Sequence, residues 1–303
     1  MSEIVLSLNK ISKRFGRIKA VNELSLEVEK GNVFGILGPN GSGKTTTLGI
    51  ILDAINPDSG YFQWFGKAPT KYERKKIGSI IESPIFYPYL SAVRNLKIIA
   101  DIKGTPYNDI DRVLNIVDLV ERKNSKFKTY SLGMKQRLAI AAALLGNPHA
   151  LIFDEPTNGL DPQGIAEIRE LILTVASEGI TILLASHLLD EVQKTCTHVA
   201  ILDKGRKLSS GKVDDVLNES NTVEISSENL EELYITINNC DIAKSVMRQG
   251  DKLTVKLDKK SSSIDLNNFL INKGIVLSHL TIRKKTLEKY FLELLTESND
   301  KPA

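Results

Sequence analysis

Only two cysteines, Cys196 and Cys240, occur in 303 residues, and they stand far apart without a companion set of metal-ligand type. Disulfide frameworks and zinc sites need denser spacing, so neither is expected; two reduced, packing thiols in a reducing cytosol fit the pattern. No run approaches the roughly 18 consecutive apolar residues needed to span a bilayer. The opening stretch MSEIVLSLNKISKRFG lacks the charged-then-apolar order of a signal peptide. The expectation is a chain with no transmembrane segment of its own, reaching a membrane only through a partner. Charge of one sign is missing too: 40 Lys and Arg stand against 37 Asp and Glu, a net +3. Beyond Ser220 the balance is 12 against 12, which leaves the small basic excess to the first part. Such a balance carries no footprint for direct nucleic-acid binding. Internal repeats of solenoid length are also lacking.

What is present is enough apolar material, 42% of the chain, for one large α/β domain and a smaller one. Alternating apolar residues at Ile4 to Ile11 and Leu24 to Val28 predict half-buried strands of an N-terminal antiparallel β-subdomain. Val33 to Leu37 is a compact apolar run before a glycine-rich turn, followed by a helix from Thr45 to Leu52 and a strand at Tyr61 to Phe65. From about residue 90 to 147 the pattern is helical, which predicts an inserted α-helical subdomain. Ala150 to Phe153, Thr181 to Ala185 and Val199 to Leu202 then alternate with helices at Ile165 to Ser177 and Leu188 to Thr195. That alternation predicts a mainly parallel sheet covered on both faces, and Asp203-Lys204-Gly205 reads as a hairpin-type turn. Polar residues around Leu217 to Ser227 suggest a boundary, giving domains 1–219 and 220–303. The second reads as a small α+β domain: strand at Leu233 to Ile237, helix at Ile242 to Gln249, strand at Lys252 to Leu257, helix at Leu266 to Lys273, strand at Ile275 to Thr281, helix at Thr286 to Leu295.

The segment GPNGSGKT, Gly38 to Thr45, follows an apolar strand and opens a helix, the context in which a P-loop pattern has chemical meaning. Gly38, Gly41 and Gly43 let the loop curl so that backbone N–H groups point at phosphate oxygens, at the positive end of the helix dipole. Lys44 would bridge the β- and γ-phosphates and Thr45 would offer its hydroxyl to Mg2+, with Pro39, Asn40, Ser42 and Thr46 filling out the nucleotide-binding stretch. A second pattern, Leu151-Ile152-Phe153-Asp154-Glu155, is an apolar strand ending in two acids. Asp154 at the carboxyl edge of the sheet would hold Mg2+ through water, and Glu155 would polarise the attacking water as general base.

With these motifs in order, the chain resembles the ABC ATPase family over about residues 4 to 215. Tyr130-Ser131-Leu132-Gly133-Met134-Lys135-Gln136-Arg137 stands where the family has its signature, usually LSGGQ. Asn158-Gly159-Leu160-Asp161-Pro162 looks like the D-loop, Ser186-His187 looks like the switch histidine, and Phe15 is similar to the aromatic that stacks on adenine. Core packing is the other reading of Phe15, and helix capping of Ser131 and Gly133. The resemblance implies a P-loop NTPase core and ATP as the nucleotide. It implies a homodimer that sandwiches two ATP molecules, with Ser131 and Gly133 touching the nucleotide of the opposite copy and Asp161 coupling the two sites. It also implies separate transmembrane permease subunits, placing the chain at the cytoplasmic face of the membrane.

Two departures stand out. The signature reads YSLGM, and Glu82 occupies the place of the usual glutamine that links metal and water to the membrane subunit. Together with Phe86-Tyr87-Pro88 they are similar to the branch that exports bacitracin-type and lantibiotic peptides. PIFYPYL, Pro84 to Leu90, would lie near the groove that receives the permease, or would fill a core. The rival function is a soluble ABC-type ATPase working on a ribosome or nucleic-acid complex; the second cassette or long coiled-coil insertion usual there is not in this sequence.

Overall fold

The computed structural model describes residues 3–81, 85–218, 222–258, 261–283 and 286–299. The chain runs β1 (Ile4–Phe15), β2 (Ile18–Glu29), β3 (Val33–Leu37), α1 (Lys44–Ile51), β4 (Ser59–Trp64), α2 (Lys71–Arg74), β5 (Ile77–Ile80), α3 (Ala92–Lys103), α4 (Asp109–Ile116), α5 (Leu132–Leu144), β6 (Ala150–Asp154), α6 (Pro162–Ser177), β7 (Thr181–Ser186), α7 (Leu189–Thr195), β8 (His198–Asp203) and β9 (Arg206–Lys212). It continues through α8 (Val213–Asn218), β10 (Thr222–Ser227), α9 (Leu230–Asn238), β11 (Ala243–Gln249), β12 (Lys252–Leu257), α10 (Ser263–Asn272), β13 (Leu277–Arg283) and α11 (Leu287–Asn299). Two compact units result, one built on Met1–Lys212 and the other on Val213–Thr296.

The first unit is organised by a six-stranded sheet in the order β5-β6-β7-β3-β8-β9. All neighbours are parallel except β8 and β9, which form a hairpin. Every residue of β3, β6 and β7 is buried, which is why their sequences are unbroken apolar runs and not alternations. β7 lies between β3 and β6 with Leu37 beside Ser186 and Ala185 beside Asp154. Parallel pairing therefore brings the carboxyl ends of these three strands to one edge, the edge at which α/β sheets bind ligands.

β1, β2 and β4 form an antiparallel three-stranded sheet in the order β2-β1-β4. Its inward residues, among them Leu6, Ile11, Leu24, Val28 and Trp64, share one core with α1 and with Phe34, Ile36, Ile152 and Leu183. The single tryptophan is fully buried and its indole N–H donates to Ile51 O at 2.8 Å, so burial leaves no polar group unmet. Helices α3, α4 and α5 interrupt the chain between the adjacent strands β5 and β6. The turn Asp203-Lys204-Gly205 closes β8 onto β9 with positive φ at both Lys204 and Gly205, the backbone of a hairpin turn whose twist suits its strands.

The second unit is βαββαβ with strand order β11-β12-β10-β13, every pair antiparallel, the split-βαβ arrangement of ferredoxin-like folds. Three sequence expectations fail here. The strand expected at Leu233 to Ile237 is helix α9: Leu233 and Ile237, four apart, are both buried on one face, and the side chain of Asn229 caps the helix by accepting from Glu232 N. The helix expected at Ile242 to Gln249 is the edge strand β11, paired to β12 across a turn with Gly250 at φ 63. Part of the expected boundary is the central strand β10, whose Val223 and Ile225 alternate into the core between polar neighbours. At β10 and β11 sheet pairing overrode local propensity, whereas at α9 the helical spacing of the buried residues and the Asn229 cap outweighed its β-branched content.

Candidate active site

The loop after β3 wraps the start of α1. Gly43 sits at φ 101, and a Cβ there would lie 2.3 Å from Ala20 O, so no side chain fits. With no side chain capping α1, the first-turn N–H groups keep their anion-binding capacity. Lys44 is buried, and its ammonium curls back to donate to Gly38 O at 2.7 Å and Pro39 O at 3.3 Å. Loop residues Asn40, Gly41 and Gly43 to Thr46 line a cavity of about 690 Å3 together with Asp154 and Glu155 at the end of β6. Two hydroxyls and two carboxylates, from Thr45, Thr46, Asp154 and Glu155, thus share a chamber with the lysine.

Glu155 takes a left-handed backbone, φ 50, directly after the strand. Its carboxylate Oε2 lies 2.8 Å from His187 Nδ1, at the end of β7. The strain of that conformation, about 1–2 kcal/mol for a residue with a Cβ, is maintained by the strand on one side and by the bond from Glu155 N to Ala185 O, 2.9 Å, on the other. Two buried polar atoms have no hydrogen-bond partner among the described residues at this place, Ser42 Oγ in the loop and Gln136 Oε1 on the cavity wall. Gln136 lines the cavity, so its oxygen is what a ligand there would satisfy, whereas Ser42 lies outside the lining.

Several expected residues lie elsewhere. Phe15 is half exposed, not in the core, and sits outside the cavity lining, with Lys13 Nζ 5.7 Å from its ring centroid; its hairpin partner Ile18 lines the cavity instead. Ser131 caps α5 by accepting from Met134 N, and Asp161 caps α6 by accepting from Gly164 N at 2.9 Å. Neither lines the cavity, nor does Gly133. Signature and D-loop nonetheless meet: a Cβ on Gly159 would be 3.3 Å from Leu132 Cδ2. Glu82 lies outside the described residues. Ile18, Ala20, Phe127, Leu132, Lys135, Gln136 and Asn158 line the cavity without having been singled out as site residues. For Leu132, Lys135 and Gln136 a signal existed, since positions three and four apart share one face of a helix.

The family model described as ABC transporter matches residues 21–158. A bacitracin transport ATP-binding protein, BcrA of Bacillus licheniformis, is 38% identical over 303 residues, covering 97% of this chain and 98% of that protein. The chain belongs to the ABC transporter ATP-binding family. A lantibiotic transport ATP-binding protein, SrtF of Streptococcus pyogenes, is 38% identical over 230 residues, 76% of this chain and 96% of its own length. Among solved structures, the ATP-binding cassette MJ0796, a dimer in a post-hydrolysis state bound to ADP and Pi, superposes with a TM-score of 0.61 at 25% identity, over 69% of this chain and 98% of that one. The six-stranded sheet with its loop-wrapped helix is therefore the P-loop core of an ABC ATPase, and ATP hydrolysis is its reaction. No helix among the described residues is long and apolar enough to cross a membrane.

Proposed function

We propose that two copies of this chain close on two ATP molecules and so drive separate permease subunits, at the cytoplasmic face of a membrane, to export peptide antibiotics or other amphipathic compounds. One observation carries the reading: P-loop, Asp154 and Glu155 line one cavity, whereas Ser131 and Gly133, at the start of α5, stay out of it. Leu132, Lys135 and Gln136 of α5 line the cavity but Ser131 and Gly133 do not, and we take those two positions at the helix start to serve the γ-phosphate held by a second copy. The relatives' transport of bacitracin and lantibiotics supports the class of cargo.

Arriving phosphate would draw the Lys44 ammonium off Gly38 O and onto the β- and γ-oxygens, exchanging a neutral acceptor for a charged one. Thr45 hydroxyl and Asp154 carboxylate, hard oxygen donors in the same cavity, fit Mg2+. That ion would supply charge neutralisation between the β- and γ-phosphates. Glu155 accepts the proton of the attacking water, and His187, 2.8 Å from Oε2, fixes the carboxylate and reaches the γ-phosphate. Phe15, exposed at the tip of the β1–β2 hairpin, stacks on adenine. Glu82 holds the place that links the metal site to the permease. Asp161 relays closure between the two sites.

Replacing Glu155 by Gln tests the assembly: Mg-ATP should convert the purified variant to a dimer in sedimentation while ADP leaves it monomeric. A variant that stays monomeric at millimolar ATP would overturn the sandwich.

A further inference from the structure

None of the residues lining the cavity lies on α3, yet α3 is tied to the signature helix α5 at both of its ends. Ahead of α3, Leu90 O accepts from Phe127 N and Pro88 O accepts from Lys128 N, both at 2.9 Å. Ser91 forms a β-bridge with Lys126. The aromatic segment is thereby laced to the residues just before Ser131. Buried Asn95 fastens the same segment to α3: Oδ1 accepts from Tyr87 N at 2.8 Å, and Nδ2 donates to Tyr87 O and Ser91 O at 3.1 Å.

At the far end the connection is a cation. Lys103 Nζ donates to Ala142 O, Ala143 O and Leu145 O at 3.0, 3.1 and 3.0 Å. Arg112 of α4 donates to Leu144 O at 3.1 Å, and Asp109 accepts from Arg112 Nε at 2.5 Å and from Gly146 N at 2.8 Å. Four consecutive carbonyls at the end of α5, which the helix itself cannot satisfy, are met by two cations at its negative pole. Because α3 starts beside the approach to α5 and ends beside its last turn, the two helices run in the same direction as a braced pair.

We propose that Lys103 is a positioning residue for ATP-driven closure: as the far pin of α3, it makes the Tyr87 to Leu90 segment and the Ser131 end of α5 move as one body. The inference rests on the sandwich reading above. Burial pushes Lys103 down to about 8, opposed by Asp109 of α4. The other charges nearby are Arg112 on α4, paired to Asp109, and Lys75 after α2, whose Nζ lies 3.8 Å from where a Cβ on Gly104 would be. The last turn of α5, Ala142 to Leu145, brings none. A neutral amine has two N–H donors for three carbonyls, so one pin is released as pH rises through 8.

The test uses the full chain carrying Glu155→Gln and measures, by sedimentation, the Mg-ATP concentration at half dimerisation. Lys103→Met, which removes all three bonds to the carbonyls, should raise it about tenfold or more, while the fluorescent analogue MANT-ATP binds its monomer as before. Between pH 7 and 9 the chain that retains Lys103 should need several-fold more ATP, and Lys103→Arg, charged throughout, should lack that component. Dimerisation of Lys103→Met at the unchanged ATP concentration overturns the clamp. If Lys103→Met fails to fold, identical pH curves for K103R and for the chain that retains Lys103 overturn it instead. Absence of any dimer in the Glu155→Gln chain itself sinks the sandwich reading, and the clamp with it, before Lys103 is touched.

Discussion

Glu155 combines two separable properties, a basic carboxylate and a strained backbone at φ 50, and three substitutions pull them apart. Gln keeps the side-chain shape and an oxygen toward His187, 2.8 Å away in the native chain, and removes only the basicity. Ala removes the side chain and keeps the strain, whereas Gly removes both. Loss of a positioned base lowers turnover by about 10²–10⁴, or roughly 3–5 kcal/mol in the barrier, so all three should fall into that range by phosphate release. Stability should divide them differently. Left-handed backbone costs a residue with a Cβ about 1 kcal/mol more than glycine, which for a unit of some 200 residues shifts the midpoint by about 2–4 °C. Calorimetry should therefore find E155G melting above E155A by that amount, although both lose turnover alike. Hydrolysis by E155Q within threefold of the native rate would refute the base assignment. E155G melting at or below E155A would refute the strain argument.

Gly43→Ala should abolish MANT-ATP binding, because its methyl must sit 2.3 Å from Ala20 O at φ 101. Ser131→Ala removes the cap on Met134 N, lowering stability by about 1 kcal/mol and raising the ATP needed for dimerisation; an unchanged requirement would separate capping from nucleotide contact. In the smaller unit, hydrogen bonds from Lys252 and Arg283 hold Glu224 down at about 2 against an ordinary 4.5. A depressed carboxylate stabilises above its unfolded value and loses that contribution as pH falls from 4.5 through about 2. Glu224→Gln should flatten the acid limb of thermal midpoint against pH in that window, and an unaltered limb would show that the three groups are not coupled in solution.

The P-loop core was legible because its signals are local and redundant. Each buried parallel strand is an apolar run, and each ends in residues whose chemistry is visible in the sequence: Gly38 to Thr45 after β3, Asp154 and Glu155 after β6, His187 after β7. The Lys204-Gly205 turn was readable for the same reason. Where the reading failed the segments are short: β11 carries residues compatible with a helix that pairing in a four-stranded sheet overruled, and α9 carries β-branched residues but packs Leu233 and Ile237 on one helical face. Phe15 falls where β1 ends, but whether an aromatic there faces solvent or core depends on which face of the sheet is covered, and that is not a local property.

By itself, the sequence determined which chemical groups this protein possesses and in what order, because phosphate loops and acid-ended strands are specified by residues adjacent in the chain. Only the tertiary structure decided which of those groups share a chamber. The order β6-β7-β3 sets Glu155 against His187, thirty-two positions apart, and the packing of α3 on α5 brings Lys103 to carbonyls some forty residues on. Such meetings arise from strand order and helix packing, which the burial of the whole core selects.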